Sequence, residues 1–104
     1  MMSAEQRNQN PLVIRLADLA NELMQSSAEF LDQPNDLQLW YNRGYANGIL
    51  NALAQADIKI EGLEKPDPEH LWSAHRFMAW GQAFIHGQTK GHNEAYEILK
   101  QSPE

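Results

Sequence analysis

The sequence predicts an all-α fold, a small helical bundle of three long helices plus one short C-terminal helix. Three observations lead there. Apolar side chains recur every three to four residues through most of the chain, the spacing that gathers them on one face of a helix. A capping residue followed by proline precedes two of these apolar-periodic stretches, at Asn10-Pro11 and Asp67-Pro68. Such a pair starts a helix, because the cap accepts an orphan backbone N–H and proline in the first turn has none to lose. Alternation of the strand kind is confined to Ile58 and Ile60, too little to define a sheet.

The first helix is predicted from Pro11 to about residue 32. Leu12, Leu16, Leu19, Leu23 and Phe30 form one row, and Val13, Ala17, Ala20, Met24 and Leu31 the next. Pro34 then disfavours helical geometry at Gln33. The second helix is predicted over 36–56, with Leu37, Tyr41, Tyr45, Ile49 and Leu53 along one face. Beside them lie Trp40, Gly44, Gly48 and Ala52. Each of those glycines costs about 1 kcal/mol relative to alanine in a solvated helix. Compensation is expected from another backbone packed closely on this row, where no side chain holds it off. Residues 57–67, acidic and interrupted by Gly62 and Pro66, read as a connection. The third helix is predicted to start at Pro68 behind an Asp67 cap. It carries Leu71, Ala74, Met78 and Ile85 on one strip and Phe77, Trp80 and Phe84 on the next, which makes it the expected central helix. Gly87 and Gly91 mark its expected end or a kink. A short fourth helix, 93–101, gathers Ala95, Ile98 and Leu99 before Ser102-Pro103 stops it. In domain terms, 1–10 is expected to be a flexible N-terminal segment and 11–101 a single helical domain.

Composition narrows the function classes. A length of 104 residues is one domain. The formal net charge of −6 leaves no uniform basic field to draw phosphates, so no nucleic-acid partner is expected. The cysteine count is 0, which excludes disulfides, thiolate zinc sites and cysteine nucleophiles and suits a reducing compartment. The first ten residues are polar and mixed in charge, unlike a secretory leader, and no apolar run approaches the roughly 20 residues that span a bilayer. A cytoplasmic protein with no membrane partner is expected.

Chemistry-bearing patterns are sparse. His70, His75, His86 and His92 all fall in the last third of the chain, but none are spaced i,i+3 or i,i+4, as helical ligands to one ion must be. His75 and His86 share a face about three turns, or roughly 16 Å, apart. No serine sits in a G-x-S-x-G turn, and Gly87-Gln88-Thr89-Lys90-Gly91 lacks the order of a phosphate-binding loop. Asp18 and Glu22 lie i,i+4 on a polar helix face, as solvated carboxylates do. No catalytic residue, no metal ligand and no cofactor is therefore predicted.

Arg43-Gly44-Tyr45 followed by Gly48-Ile49 resembles the R-G-Y-x-x-G-I opening of the ribosome modulation factors. Those proteins are strongly basic and continue into a Cys-Pro segment. This chain is acidic and without cysteine, so no residue role is carried over. What stands out instead is a set of residues of the types concentrated at protein interfaces: Trp40, Arg43, Tyr45, Trp72 and Arg76. They point to a small accessory or regulatory protein that binds another protein, or a second copy of itself. The competing expectation is a small-molecule binder or enzyme with a cleft near Tyr45, Trp72, His75 and Arg76.

Overall fold

The structure, a computed structural model, describes residues 10–101, and these form an all-α molecule. Its elements are α1 (Pro11–Ser26), a 3-10 turn (Phe30–Asp32), α2 (Leu37–Gln55), the short α3 (Glu69–Ser73) and α4 (Ala79–Gln101). The flexible segment expected over 1–10 lies, apart from Asn10, outside the described residues. Two helix starts follow local chemistry. The Asn10 side chain accepts from the Leu12 N–H at 2.9 Å with Pro11 in the first turn, and Asp36 accepts from the Leu39 N–H at 3.0 Å.

The first helix ends earlier than its apolar rows suggest. At Ser26 the chain turns: the Ser27 hydroxyl and backbone N–H both donate to the Leu23 carbonyl, and the Arg43 guanidinium takes the Met24 carbonyl at 2.6 Å. The 3-10 turn then brings the Phe30 ring against Trp40, 4.9 Å away and edge-on, and Phe84, 6.0 Å away. Of the two predicted rows, Val13, Ala17, Ala20 and Met24 are buried, while Leu12 and Leu19 remain exposed.

The third and fourth helices are redistributed. Asp67 does not cap a helix, because its carboxylate is engaged by Arg43, and Pro68 occupies the N-cap without a side-chain bond. After α3 a turn at 74–78 intervenes, and α4 then runs unbroken to Gln101. Gly87 and Gly91 do not end a helix. They face α2, just as Gly44 and Gly48 face α4. A Cβ on Gly44 would lie 2.0 Å from the Phe84 carbonyl oxygen, and one on Gly48 2.1 Å from that of Gln88. In return, a Cβ on Gly87 would lie 2.1 Å from the Tyr41 oxygen, and one on Gly91 2.1 Å from that of Tyr45. The backbone approach expected at the first pair of glycines is present, and it takes glycines from both helices.

α2 is therefore the central element, in place of the predicted third helix. It packs against α4 along the glycine seam and against α1 on another side, while α1 and α4 barely touch. Two cores result. Val13, Leu16, Ala20, Ile49, Leu50 and Leu53 close around Ile58 and Leu99, and a separate aromatic cluster of Phe30, Trp40 and Phe84 fills one end of the 44 × 21 × 20 Å molecule. α2 stops through a Schellman arrangement. Asp57 adopts φ 58°, its N–H bonds to the Ala54 carbonyl, and the Ile58 N–H reaches back to Leu53 at 2.9 Å while its side chain enters the core.

Candidate interaction surface

The five residues singled out from the sequence occupy different environments. Trp40 is 0% exposed, and its indole N–H donates to the Gln33 carbonyl at 3.1 Å. Arg43 is the hub of a buried polar node. Its guanidinium grips Asp67 with both carboxylate oxygens, at 2.7 and 2.9 Å, donates to Met24, and lies 4.9 Å above the Phe30 ring. Asn47, fully buried, adds a bond to Asp67 at 2.8 Å and one to the Arg43 carbonyl at 2.9 Å. This one cation thereby ties the end of α1, the middle of α2 and the connection before α3 together, and is spent inside the fold.

Tyr45 is half-buried and donates its hydroxyl to Glu94 on α4. Burial, then that hydrogen bond and the neighbouring carboxylate charge, push its phenol up to about 12. Trp72 is half-buried and stacks on Phe84 at 5.1 Å. Arg76 is exposed. Tyr45, Trp72, His75 and Arg76 do not assemble into one cleft: Tyr45 is bound to α4, His75 to Trp80, and Arg76 lies on the outside.

What the structure does assemble is the turn between α3 and α4. The His75 ring packs edge-on against Trp40 at 5.2 Å, and its Nδ1 accepts from the Trp80 indole N–H at 3.1 Å. An indole nitrogen can only donate, so Nδ1 carries no proton in this arrangement. The His75 carbonyl sits directly over Gly81, where a Cβ would come within 1.8 Å of it, and Gln82 donates to the Arg76 carbonyl. These contacts hold the inner side of the turn and push the next residues outward. Phe77 is 83% exposed, with the Arg76 guanidinium 4.9 Å over its ring, and Met78 is 49% exposed. Exposed Leu37 lies at the same end, in the first turn of the helix that carries Trp40, as does Leu31 on the 3-10 turn whose Phe30 touches Trp40. These four exposed side chains, the apolar cap, all belong to segments that carry or adjoin the aromatic cluster of Phe30, Trp40 and Phe84.

Periodicity places Phe77, Met78 and Leu37 on buried strips, and so misses this cap. No proline interrupts the stretch from Trp72 to Met78, so its pattern reads as a continuing helix. Gly81 is the available signal, since a glycine near a helix start leaves room for a chain folding back over it.

Elsewhere, two open clefts flank the α2–α4 contact. His92 and Gln55, joined at 3.0 Å, contribute to both. Among the described residues no group of three or more histidine, aspartate or glutamate side chains is placed to hold a metal ion, and no helix is long and apolar enough to cross a membrane. Comparison with known proteins finds no matching family, no matching curated protein and no matching solved structure.

Proposed function

We propose that the chain is a small cytoplasmic accessory or regulatory protein that acts by binding another protein through the cap of Phe77, Met78, Leu37 and Leu31. The observation that carries this reading is Phe77. Leaving a phenylalanine in water forfeits about 1.5 to 3 kcal/mol of burial, which the fold recovers nowhere and a partner can. Phenylalanine, methionine and arginine are the types enriched at interface cores, and here they sit side by side. The turn beneath is held by packing of His75 on the buried Trp40 ring and by hydrogen bonds, so little ordering is lost on docking. Exposed Asp32 and Asp36 flank Leu31 and Leu37 in the chain, which favours a partner whose apolar pocket has a basic rim.

The test uses Phe77→Asp and Met78→Asp. Both side chains are solvated, so the melting temperature should stay within about 2 °C of wild type, as for surface substitutions generally. Proteins retained by the wild-type chain from native lysate should be lost by at least about tenfold, since a buried charge replaces a hot-spot ring. Sedimentation at high concentration asks whether the occupant is a second copy. The reading fails if both variants retain the same proteins and sediment as wild type does.

A further inference from the structure

Beside the glycine seam, α2, α3 and α4 flank an open cleft of about 490 Å³, within the range of small-ligand sites and lined by none of the cap residues. Four of its eight lining residues carry carboxamides. Asn51 and Gln55 come from successive turns of α2, and Gln88 and Asn93 from α4 opposite. A carboxamide presents both donors and an acceptor, so a group of them on two facing walls matches a ligand that both donates and accepts around its perimeter. Gln55 is bonded to His92, but Asn51, Gln88 and Asn93 have no side-chain hydrogen bond to any described residue.

Trp72 completes the cleft. The other two tryptophans spend their N–H groups inside the protein, Trp40 on Gln33 and Trp80 on His75. Trp72 alone has no acceptor for its N–H among the described residues, and it lines this cleft. Stacking on Phe84 covers one face of the indole and fixes its plane. Trp72 is half-buried, and the part of the indole that lines the cleft, with the unused donor, is what remains for a ligand.

The charge of the lining decides between ligand classes. No lysine or arginine contributes, and Glu69 does, so phosphates and carboxylates are disfavoured. The amides disfavour a purely apolar ligand. Each polar atom of a nucleobase either donates or accepts, whereas each hydroxyl of a sugar does both, as the carboxamides on the two walls do. We propose that this cleft binds a neutral saccharide, its hydroxyls met by Asn51, Gln88 and Asn93 and an apolar ring face by Trp72. The open form of the cleft admits either a free sugar or a unit within a longer glycan.

The full chain, labelled with ¹⁵N, is titrated by NMR with glucose, N-acetylglucosamine, maltotriose, cellotriose and tri-N-acetylchitotriose, and with adenosine for comparison. At least one saccharide should produce saturable shifts centred on the Trp72 indole N–H and the Asn51 and Gln88 side-chain amides. Saturation by the monosaccharides identifies a free sugar as the ligand, and saturation by a trimer alone identifies a glycan chain. Gln88→Ala and Asn51→Ala, on partly exposed positions, should keep the remaining spectrum and weaken binding by at least about tenfold, the loss of one or two well-formed hydrogen bonds. Phe77→Asp should leave these shifts intact, which separates this site from the protein-docking cap. The proposal is overturned if none of the five saccharides gives a saturable shift, if adenosine alone does, or if both alanine variants bind as wild type does.

Discussion

Arg43 shows how much of this molecule hangs on single side chains. The Arg43 and Asp67 side chains are only 12% and 9% exposed, and hydrogen bonds engage all three guanidinium nitrogens and both carboxylate oxygens. Removing one partner leaves the other charge desolvated without compensation, which costs about 3 to 5 kcal/mol. Asp67→Ala should therefore lower the unfolding free energy by that order in urea denaturation. The double variant Arg43→Met with Asp67→Leu should be less damaged than Asp67→Ala alone, because apolar side chains need no counter-charge. Equal or greater damage in the double variant would mean that the Met24 and Asn47 contacts, not the ion pair, dominate the node. Tyr45 makes a second prediction, in pH. Its folded pKa of about 12 lies above the usual 10, because burial and the bond it donates to Glu94 favour the neutral phenol. That preference contributes stability fully below pH 10 and loses it as pH rises from 10 through 12. Phenolate absorbance should show a late-titrating component that Tyr45→Phe removes, and the same variant should flatten the fall in stability across that window.

Between elements, the governing feature is backbone against backbone. On an exposed helix Gly48→Ala would gain about 1 kcal/mol from helix propensity. Here the new methyl would sit 2.1 Å from the Gln88 oxygen and 2.6 Å from the His92 nitrogen, both backbone atoms that no rotamer change can move. The two helices must separate, and the thermal melt should show a loss of about 1 to 3 kcal/mol, opposite in sign to propensity. A variant as stable as wild type would show that the helices part without penalty. The end of α2 offers the converse case. Asp57 holds a left-handed φ of 58°, a region that disfavours residues with a Cβ and that glycine adopts freely. Asp57→Gly should leave stability unchanged or raise it by up to about 1 kcal/mol in denaturant, and a clear loss would mean that the carboxylate itself supports the cap.

For the molecule as a whole, the middle position of α2 has a dynamic consequence. Residues 46–50 are all buried, so the amides of that stretch should exchange slowest with solvent, opening only with global unfolding. Slower exchange in α1 than in α2 would contradict the arrangement. The all-α class, the starts of α1 and α2, the connection over 57–67 and the close approach at Gly44 and Gly48 were all legible from the chain itself. Each depends on local rules: helical spacing, a capping side chain, a proline, a glycine that propensity alone would penalise. The early end of α1, the break after Ser73 and the role of Gly87 and Gly91 were decided by contacts distant in sequence. Arg43 captures Met24 and Asp67 across α2, the His75 carbonyl settles on Gly81, and a glycine that could equally end a helix instead meets the Tyr45 backbone. The candidate site divides in the same way. Residue type marked Trp72 and Arg76, but exposure is a property of the assembled surface. Periodicity describes a helix that continues, so it assigns Phe77 to the core, and only the tertiary turn built on His75 and Trp80 puts that ring in water.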